Sequence, residues 1–202
     1  MIPERSLMLI LNYTPQTDAA QALWVAERAL QGGVNWVMLR VRDLPPRLAL
    51  DMGLQLRHMT RMAHALLSVN PYPALAEWCG ADALHLPEAA PPYTPHAPMM
   101  LGRSVHSVEA AVHAETEGSH YLLVGALYPT RSHPEKSPEG VALLQAVRSA
   151  VALPLIAVGG ITPERVAECL QAGASGVAVI TGITEAADPT EAAQAYRQAL
   201  LG

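Results

Sequence analysis

The chain of 202 residues contains no phenylalanine, and charged residues make up only 15% of it. Leu, Val, Ile, Met and Ala must therefore fill its interior, a composition that suits helices packed around a sheet. Half of the residues are hydrophobic, which excludes a disordered chain. At this length the sequence predicts one domain, residues 1–202, with a substantial core.

Positive charge and long apolar runs are also lacking. The net charge of −5 is unsuited to neutralising nucleic-acid phosphates, so no nucleic-acid partner is expected. No apolar run approaches the length of a membrane span, and the N-terminus lacks a charged segment followed by an apolar core. We therefore expect a cytoplasmic protein with no membrane partner.

Cysteine and tryptophan are scarce, with two and three residues respectively. Cys79 and Cys169 lie in stretches of helical periodicity, which predicts buried, reduced thiols rather than a disulfide. Two cysteines alone cannot form a metal site, and no histidine pair has the spacing of metal ligands. Trp24 and Trp78 are candidates for a homo-oligomer contact, although helix faces packed on a sheet explain them equally well.

Eight short apolar runs alternate with stretches of helical spacing, at about 25 residues per unit. Such runs suit parallel strands that are buried on both faces. They are residues 7–11, 34–40, 65–69, 81–86, 99–105, 121–127, 153–159 and 176–181. Because the units are evenly spaced and no early glycine-rich dinucleotide turn is present, the α/β pattern predicts a single (β/α)₈ TIM barrel rather than an open doubly wound sheet.

Helix boundaries are well marked in most units. Ser107 is predicted to cap one helix, and the segment Asp188-Pro189-Thr190-Glu191 is predicted to open the last one. Two units are weaker. The third helix is predicted to be short, residues 72–79, and the fourth unit, residues 87–98 with five prolines, to be mainly loop.

In a barrel of this kind, functional groups lie at the C-terminal strand ends and in the loops that follow. The candidates for binding a substrate and its phosphate are Arg40, Arg42, Asn70, Ser104, Thr130, Gly159, Gly160, Thr181 and Gly182. His106 and His133 fall in the loops after strands 5 and 6, where an imidazole can transfer protons. We predict these two histidines as the catalytic residues.

The segments after strands 7 and 8 predict a phosphate cup. Glycine lets the backbone approach an anion, and backbone N–H groups can then bind it. The pairs Gly159-Gly160 and Thr181-Gly182 have the right types and positions. A tight turn and a helix cap would also explain them, but the occurrence of both segments in one eight-unit chain favours phosphate binding.

Two arginines follow strand 2. Arg40 and Arg42 are two residues apart, and two guanidinium groups at a barrel mouth suit a phosphate, a diphosphate or a carboxylate. For Arg42, a surface ion pair with Asp43 is an equally good explanation.

Six blocks resemble those of the thiamin phosphate synthase/TenI superfamily. They are residues 32–34 (GGV), 80–86 (GADALHL), 102–107 (GRSVHS), 125–130 (GALYPT), 157–161 (AVGGI) and 172–179 (AGASGVAV). Their order and spacing match over essentially the whole chain. The resemblance implies a barrel, a thiazole phosphate or thiamin phosphate ligand, and a role in thiamin biosynthesis.

The resemblance implies one of two chemistries. A synthase joins an aminopyrimidine diphosphate to thiazole phosphate and releases pyrophosphate with the help of Mg²⁺. A TenI-like thiazole tautomerase shifts a proton to aromatise a carboxylated thiazole phosphate, without a metal.

This chain departs from the synthase pattern at the metal carboxylates. The Asn-Asp-Arg run after strand 3 is Asn70-Pro71-Tyr72 here, and the Asp after strand 4 is Ala90. The strand-6 Lys is His133, and the Arg-Glu-Lys run after strand 2 is Arg40-Val41-Arg42. Because hard oxygen ligands hold Mg²⁺, these departures favour a metal-independent tautomerase, an isomerase with no cofactor.

In that interpretation, His106 or His133 moves the proton, Arg40 holds the substrate carboxylate, and the cup holds the phosphate. TenI-like proteins carry a His in the strand-6 block where this chain has Ala126, so its proton carrier must differ. Two alternatives stay open. One is a synthase, a transferase, with an altered Mg²⁺ site; the other is a catalytically silent binder of thiazole phosphate or thiamin phosphate.

Overall fold

The computed structural model describes residues 2–96, 98–130 and 138–202, and its eight parallel strands form a closed barrel. The strands are β1 Ser6–Tyr13, β2 Trp36–Val41, β3 Leu66–Asn70, β4 Ala83–Leu86, β5 Met100–Val105, β6 Tyr121–Val124, β7 Leu155–Val158 and β8 Gly176–Val179. Neighbouring strands pair in chain order, and β8 pairs with β1. The predicted TIM barrel is confirmed.

Helices follow seven of the eight strands in the described part of the chain. They are α1 Ala19–Gln31, α2 Pro46–Met62, α3 Pro73–Trp78, α4 Val108–Thr116, α5 Gly140–Ala150, α6 Pro163–Gln171, α7 Thr181–Thr184 and α8 Pro189–Leu201. Side chains of Asp18, Ser107 and Asp188 accept hydrogen bonds from the first backbone N–H groups of α1, α4 and α8. The predicted caps at Ser107 and Asp188 are confirmed, since these oxygens satisfy N–H groups that lack a helical partner.

The two weak units are irregular, as predicted. Helix α3 has six residues, and residues 87–96 between β4 and β5 contain no helix. The prediction that strand 6 extends to residue 127 is wrong. Strand β6 ends at Val124. Beyond it, the N–H groups of Leu127 and Tyr128 donate to the carbonyls of Val158 and Gly159, at the end of β7, and this part of the chain is a loop.

Apolar side chains pack in two layers. The larger lies between the strands and the helices, and it includes Cys79 and Cys169, which are buried and free as predicted. The smaller fills the barrel interior with Met8, Ile10, Trp36, Met38, Ala83, Tyr121, Leu123, Ile156 and Ala178. In this interior layer the rings of Trp36 and Tyr121 meet edge to face at 4.7 Å, which closes the lower part of the barrel.

The outer surface retains large apolar side chains. Trp24 is 43% exposed and Trp78 is 64% exposed, so neither is covered by packing on the barrel. A subunit contact at these residues stays a prediction. Among the residues that the structure describes, no helix is both long enough and apolar enough to cross a bilayer.

Arg103 in β5 holds the loop that follows β4. Its guanidinium donates to the backbone carbonyls of Pro87, Glu88 and Ala90 at 3.4, 3.2 and 2.6 Å. It also forms an ion pair at 3.0 Å with Glu117, at the end of α4, and the arginine side chain is only 6% exposed. This buried arginine therefore fixes the backbone of a loop at the functional end of the barrel.

Gly102 makes room for Tyr121, and we predict that this space is essential for packing. A Cβ at position 102 would overlap the Tyr121 ring. Gly102→Ala should therefore lower the free energy of unfolding by about 1–3 kcal/mol, as other overpacked cores do. Urea denaturation measures this loss. The control Ser149→Ala, on the exposed face of α5, should change it by less than about 0.5 kcal/mol. Equal effects of the two substitutions would contradict the prediction.

A second prediction concerns the Arg103 ion pair. Arg103→Met leaves the Glu117 carboxylate, whose side chain is 15% exposed, without its arginine and with only the exposed His113 beside it at 3.1 Å, and it should cost about 3–5 kcal/mol of unfolding free energy. In the matched variant Arg28→Met, the lost pair with Asp188 has side chains 36% and 38% exposed, so the cost should stay below about 1 kcal/mol. Chemical denaturation of both variants tests the difference, and comparable losses would refute it.

Candidate functional site

A cavity of about 400 Å³ opens at the C-terminal ends of the strands. Cavities of this size hold small molecules. The predicted site residues that line it are Arg40, Asn70, Ser104, His106, Thr130, Gly159, Gly160, Thr181 and Gly182. The structure thus brings together the predicted site residues with two exceptions. Arg42 lies beyond the end of β2, exposed and outside the cavity wall, and His133 lies outside the described residues.

The predicted phosphate cup (Gly159, Gly160, Thr181 and Gly182) forms one side of the cavity. Gly160 has a φ of +64°, and a Cβ there would overlap the Pro129 carbonyl. Thr181 and Gly182 are the first two residues of α7, and the first N–H groups of a helix have no acceptor within it. These backbone donors suit an anion.

Arg165 adds a positive charge beside the cup, which the sequence interpretation missed. It lines the cavity from the first turn of α6, donates to the Gly160 carbonyl, and lies 4.4 Å above the Tyr128 ring. The Tyr128 hydroxyl in turn donates to Glu168. A sequence signal was available, because Arg165 falls just after the glycine pair, where a helix begins over the barrel mouth.

Arg40 provides a second positive charge, on the β2 side of the cavity. Its guanidinium donates to the side chain of Asn12 at 3.2 Å and forms no ion pair with a described carboxylate. Burial lowers the pKa of the Arg40 guanidinium, and the nearby charge of Arg42 lowers it further. A half-buried cation that has no carboxylate partner among the described residues is suited to binding a phosphate or diphosphate.

His85 on β4 and Ser104 on β5 also line the cavity. His85 Nε2 lies 2.8 Å from Ser104 Oγ, and the side chain of Asn70 donates to the His85 carbonyl at 2.8 Å. His85 is 2% exposed. Burial, together with the charges of Arg103 and Arg40, lowers the pKa of His85 to about 3, so its imidazole is neutral near pH 7. Strand periodicity alone does not separate a role for His85 in the core from a role in the cavity.

His106 lies at the rim of the cavity and is held by Glu88. The Glu88 carboxylate accepts from the backbone N–H of His106 at 2.7 Å and lies 2.9 Å from its Nδ1. The side chains of both residues are 41% exposed. His106 is therefore anchored at an open edge, rather than enclosed where it could exchange a proton with a buried substrate.

Comparison with known proteins identifies the relatives of this chain. The family model described as thiamine monophosphate synthase matches residues 7–183. A thiamine-phosphate synthase from Natronomonas pharaonis is 40% identical over 186 residues, 88% of this chain and 87% of that protein. One from Moorella thermoacetica is 34% identical over 204 residues, 98% of this chain and 96% of that protein.

Solved structures are similar to this chain over nearly its whole length. A thiamine phosphate pyrophosphorylase from Pyrococcus furiosus superimposes with a TM-score of 0.83 at 27% identity, covering 98% of this chain and 96% of that one. A (S)-3-O-geranylgeranylglyceryl phosphate synthase from Thermoplasma acidophilum, with a TM-score of 0.72 at 16% identity over 97% of this chain and 93% of that one, shares the fold alone.

These relatives overturn the expected activity. The prediction of a thiazole tautomerase, an isomerase, is wrong, because the similar proteins are named as synthases, which are transferases. The proton-transfer roles given to His106 and His133 lose their basis with it. The sequence interpretation gave more weight to the missing carboxylates at Pro71 and Ala90 than to a resemblance that extends along nearly the whole chain. By that likeness, in sequence and in structure, the chain belongs to the thiamine monophosphate synthase family.

Proposed function

We propose that this protein is a thiamin phosphate synthase, which joins an aminopyrimidine diphosphate to thiazole phosphate and releases pyrophosphate. The observation that carries the proposal is a single cavity with two separate groups of anion-binding donors. The phosphate cup follows β7 and β8, with Arg165 beside it on α6, whereas Arg40 and Ser104 line the cavity from β2 and β5. Two phosphorylated substrates in one site require such a pair of positions.

The reaction assigns a task to each group. The C–O bond between the pyrimidine methylene and the diphosphate breaks, and its electron pair leaves with pyrophosphate. The lone pair of the thiazole nitrogen then forms the new C–N bond to the methylene. The cup would orient thiazole phosphate, while Arg40 and Ser104 would stabilise the charge that develops on the leaving pyrophosphate. This step transfers no proton, so it requires no poised base.

Mg²⁺ is the ion that the family resemblance implies, and the described residues do not fit the carboxylate site of the synthase pattern. Pro71 and Ala90 occupy the two Asp positions. Within residues 2–96, 98–130 and 138–202, no three His, Cys, Asp or Glu side chains group as metal ligands. Glu88, in the same loop as Ala90, already accepts the backbone N–H of His106 and lies 2.9 Å from His106 Nδ1.

The proposed function predicts synthase turnover by the purified protein. With both substrates and Mg²⁺, the purified protein should form thiamin phosphate and pyrophosphate in equal amounts, measured by chromatography and a pyrophosphate assay. Arg40→Met should lower kcat/KM by about 10²-fold, the usual effect of removing one preorganised charge partner. Arg47→Met, at an exposed position of α2, should leave it unchanged. Binding of the substrates without turnover would instead support the silent binder.

Metal affinity is a separate prediction. Without substrate, the protein should bind Mg²⁺ no more tightly than about 1 mM, because the described residues contain no group of three or more His, Cys, Asp or Glu side chains placed to hold a metal. Isothermal titration tests this. The variant Pro71→Asp/Ala90→Asp, which supplies both carboxylates, should bind at least about tenfold more tightly. Micromolar affinity in the unmodified protein would contradict the prediction.

A further inference from the structure

Three positions that are acidic in the synthase pattern carry no acid in this chain. They belong to the Arg-Glu-Lys run, the Asn-Asp-Arg run and the loop after strand 4, and they are Val41, Pro71 and Ala90. Two basic positions of the pattern are also lost, at Tyr72 and His133, but both cations after strand 2 are kept as Arg40 and Arg42. The substitutions therefore remove each of the pattern's carboxylates and retain part of its positive charge.

The wall of the substrate cavity has the same bias toward positive charge. Arg40 and Arg165 line it, and neither aspartate nor glutamate occurs among its described lining residues. His85 contributes no charge near pH 7, because burial and the nearby arginines lower its pKa to about 3. Glu88 lies in the loop beside the cavity, where its carboxylate is held by His106. A ligand in this cavity thus meets two cations and no described carboxylate.

Neither arginine of the wall is neutralised by a carboxylate. The ion pairs among the described residues include neither Arg40 nor Arg165. Arg40 donates to the side chain of Asn12 at 3.2 Å, and Arg165 donates to a main-chain carbonyl. Glu168, one turn beyond Arg165 on α6, accepts from the Tyr128 hydroxyl instead. Neutral acceptors therefore hold both guanidinium groups in place, and their charge is left for a ligand.

Repulsion near Arg40 favours an anion over a metal ion. Burial lowers the pKa of the Arg40 guanidinium, and the charge of Arg42 lowers it further. An anion beside Arg40 would relieve this repulsion, whereas a divalent cation would increase it. Mg²⁺ is usually bound through one or two carboxylates together with phosphate oxygens and water. The described wall offers it no carboxylate and opposes it with positive charge.

The proposed reaction needs positive charge where pyrophosphate leaves. Mg²⁺ supplies that charge in the synthase pattern. Guanidinium groups can supply it as well, because their paired N–H donors match the oxygens of a phosphate. The bond changes are the same in both cases: the electron pair of the C–O bond leaves with pyrophosphate, the thiazole nitrogen forms the C–N bond, and no proton is transferred. Only the source of the positive charge differs.

We propose that this cavity binds the diphosphate substrate free of Mg²⁺ and that pyrophosphate release is independent of added metal. Arg40 neutralises the diphosphate, and Arg165 neutralises the phosphate of the second substrate. The identity of the two substrates rests on the proposed function. The preference for a metal-free diphosphate group rests on the charges of the cavity, and it can be measured without turnover.

Calorimetric binding of inorganic pyrophosphate, at matched ionic strength, tests this preference. In EDTA the unmodified protein should bind pyrophosphate at least about tenfold more tightly than in excess Mg²⁺, because Mg²⁺ cancels two charges of the ligand. Arg40→Met should weaken binding in EDTA by about tenfold or more, the usual effect of losing a charged hydrogen-bond donor. The control Arg47→Met, at an exposed position of α2, should bind as the unmodified protein does.

Two results of this titration would overturn the proposal. One is binding by the unmodified protein that is equal or tighter in Mg²⁺ than in EDTA. The other is an unchanged affinity of Arg40→Met in EDTA.

Restoring the acidic side chains should reverse the preference. Pro71→Asp/Ala90→Asp supplies both carboxylates, so it should bind pyrophosphate more tightly in Mg²⁺ than in EDTA. Ala90→Asp alone should shift the ratio of the two affinities in the same direction, and it replaces the double variant if that variant does not fold. The main-chain oxygen of residue 90 accepts from Arg103, a contact that this substitution leaves in place. An unchanged ratio in a folded variant would contradict the proposal.

Turnover separates this proposal from the proposed function. Formation of thiamin phosphate in EDTA should proceed within about twofold of the rate in Mg²⁺, because no step depends on the ion. A larger loss in EDTA would refute metal independence and leave the synthase proposal intact. Absence of turnover under both conditions would refute the synthase proposal, and the pyrophosphate affinities would then decide the metal preference alone.

Discussion

Closure of the barrel through β1 and β8 is the constraint on which the site depends. Residues 6–9 of β1 pair with residues 176–179 of β8, and Gly176 permits the approach because a Cβ there would overlap the Ser6 backbone. A closed parallel sheet has no edge, and it directs every C-terminal strand end to the same mouth. Residues separated by more than a hundred positions, such as Arg40 and Thr181, meet around one cavity for this reason.

The interior of this barrel is more polar than its apolar strand sequences suggest. Alternate residues of each strand face inward, and several of these are hydrogen-bonded through their side chains. Trp36 on β2 donates to Ser68 on β3, and the ring of His85 on β4 contacts Tyr121 on β6 and Ser104 on β5. Polar contacts of this kind between strands favour a single packing arrangement, whereas an all-aliphatic interior would leave Ser104 without the partner that His85 provides.

Much of this architecture could be predicted from the sequence, because local signals determine it. Continuous apolar runs identified the strands, and Ser107 and Asp188 identified helix starts. The position of Arg42 could not be predicted in this way, since it depends on where β2 ends. His85 and Tyr121 gave no signal either, because their contact joins residues 36 apart and depends on strand register. The activity was misjudged for a different reason: the residues at 71 and 90 bear on metal affinity, and they say little about which substrates the remaining cavity accepts.

The hydrogen bonds from Arg103 to the loop after β4 bear on which residues of this site can change during evolution. Arg103 binds main-chain oxygens at Pro87, Glu88 and Ala90, and every amino acid carries such an oxygen. The backbone conformation of the loop therefore does not depend on which side chains the loop carries. Position 90 can exchange a carboxylate for a methyl group over evolutionary time while the backbone at the cavity mouth keeps its course. In a scaffold anchored in this way, substitutions can change the chemical groups at the cavity mouth while the shape of the cavity mouth is inherited unchanged.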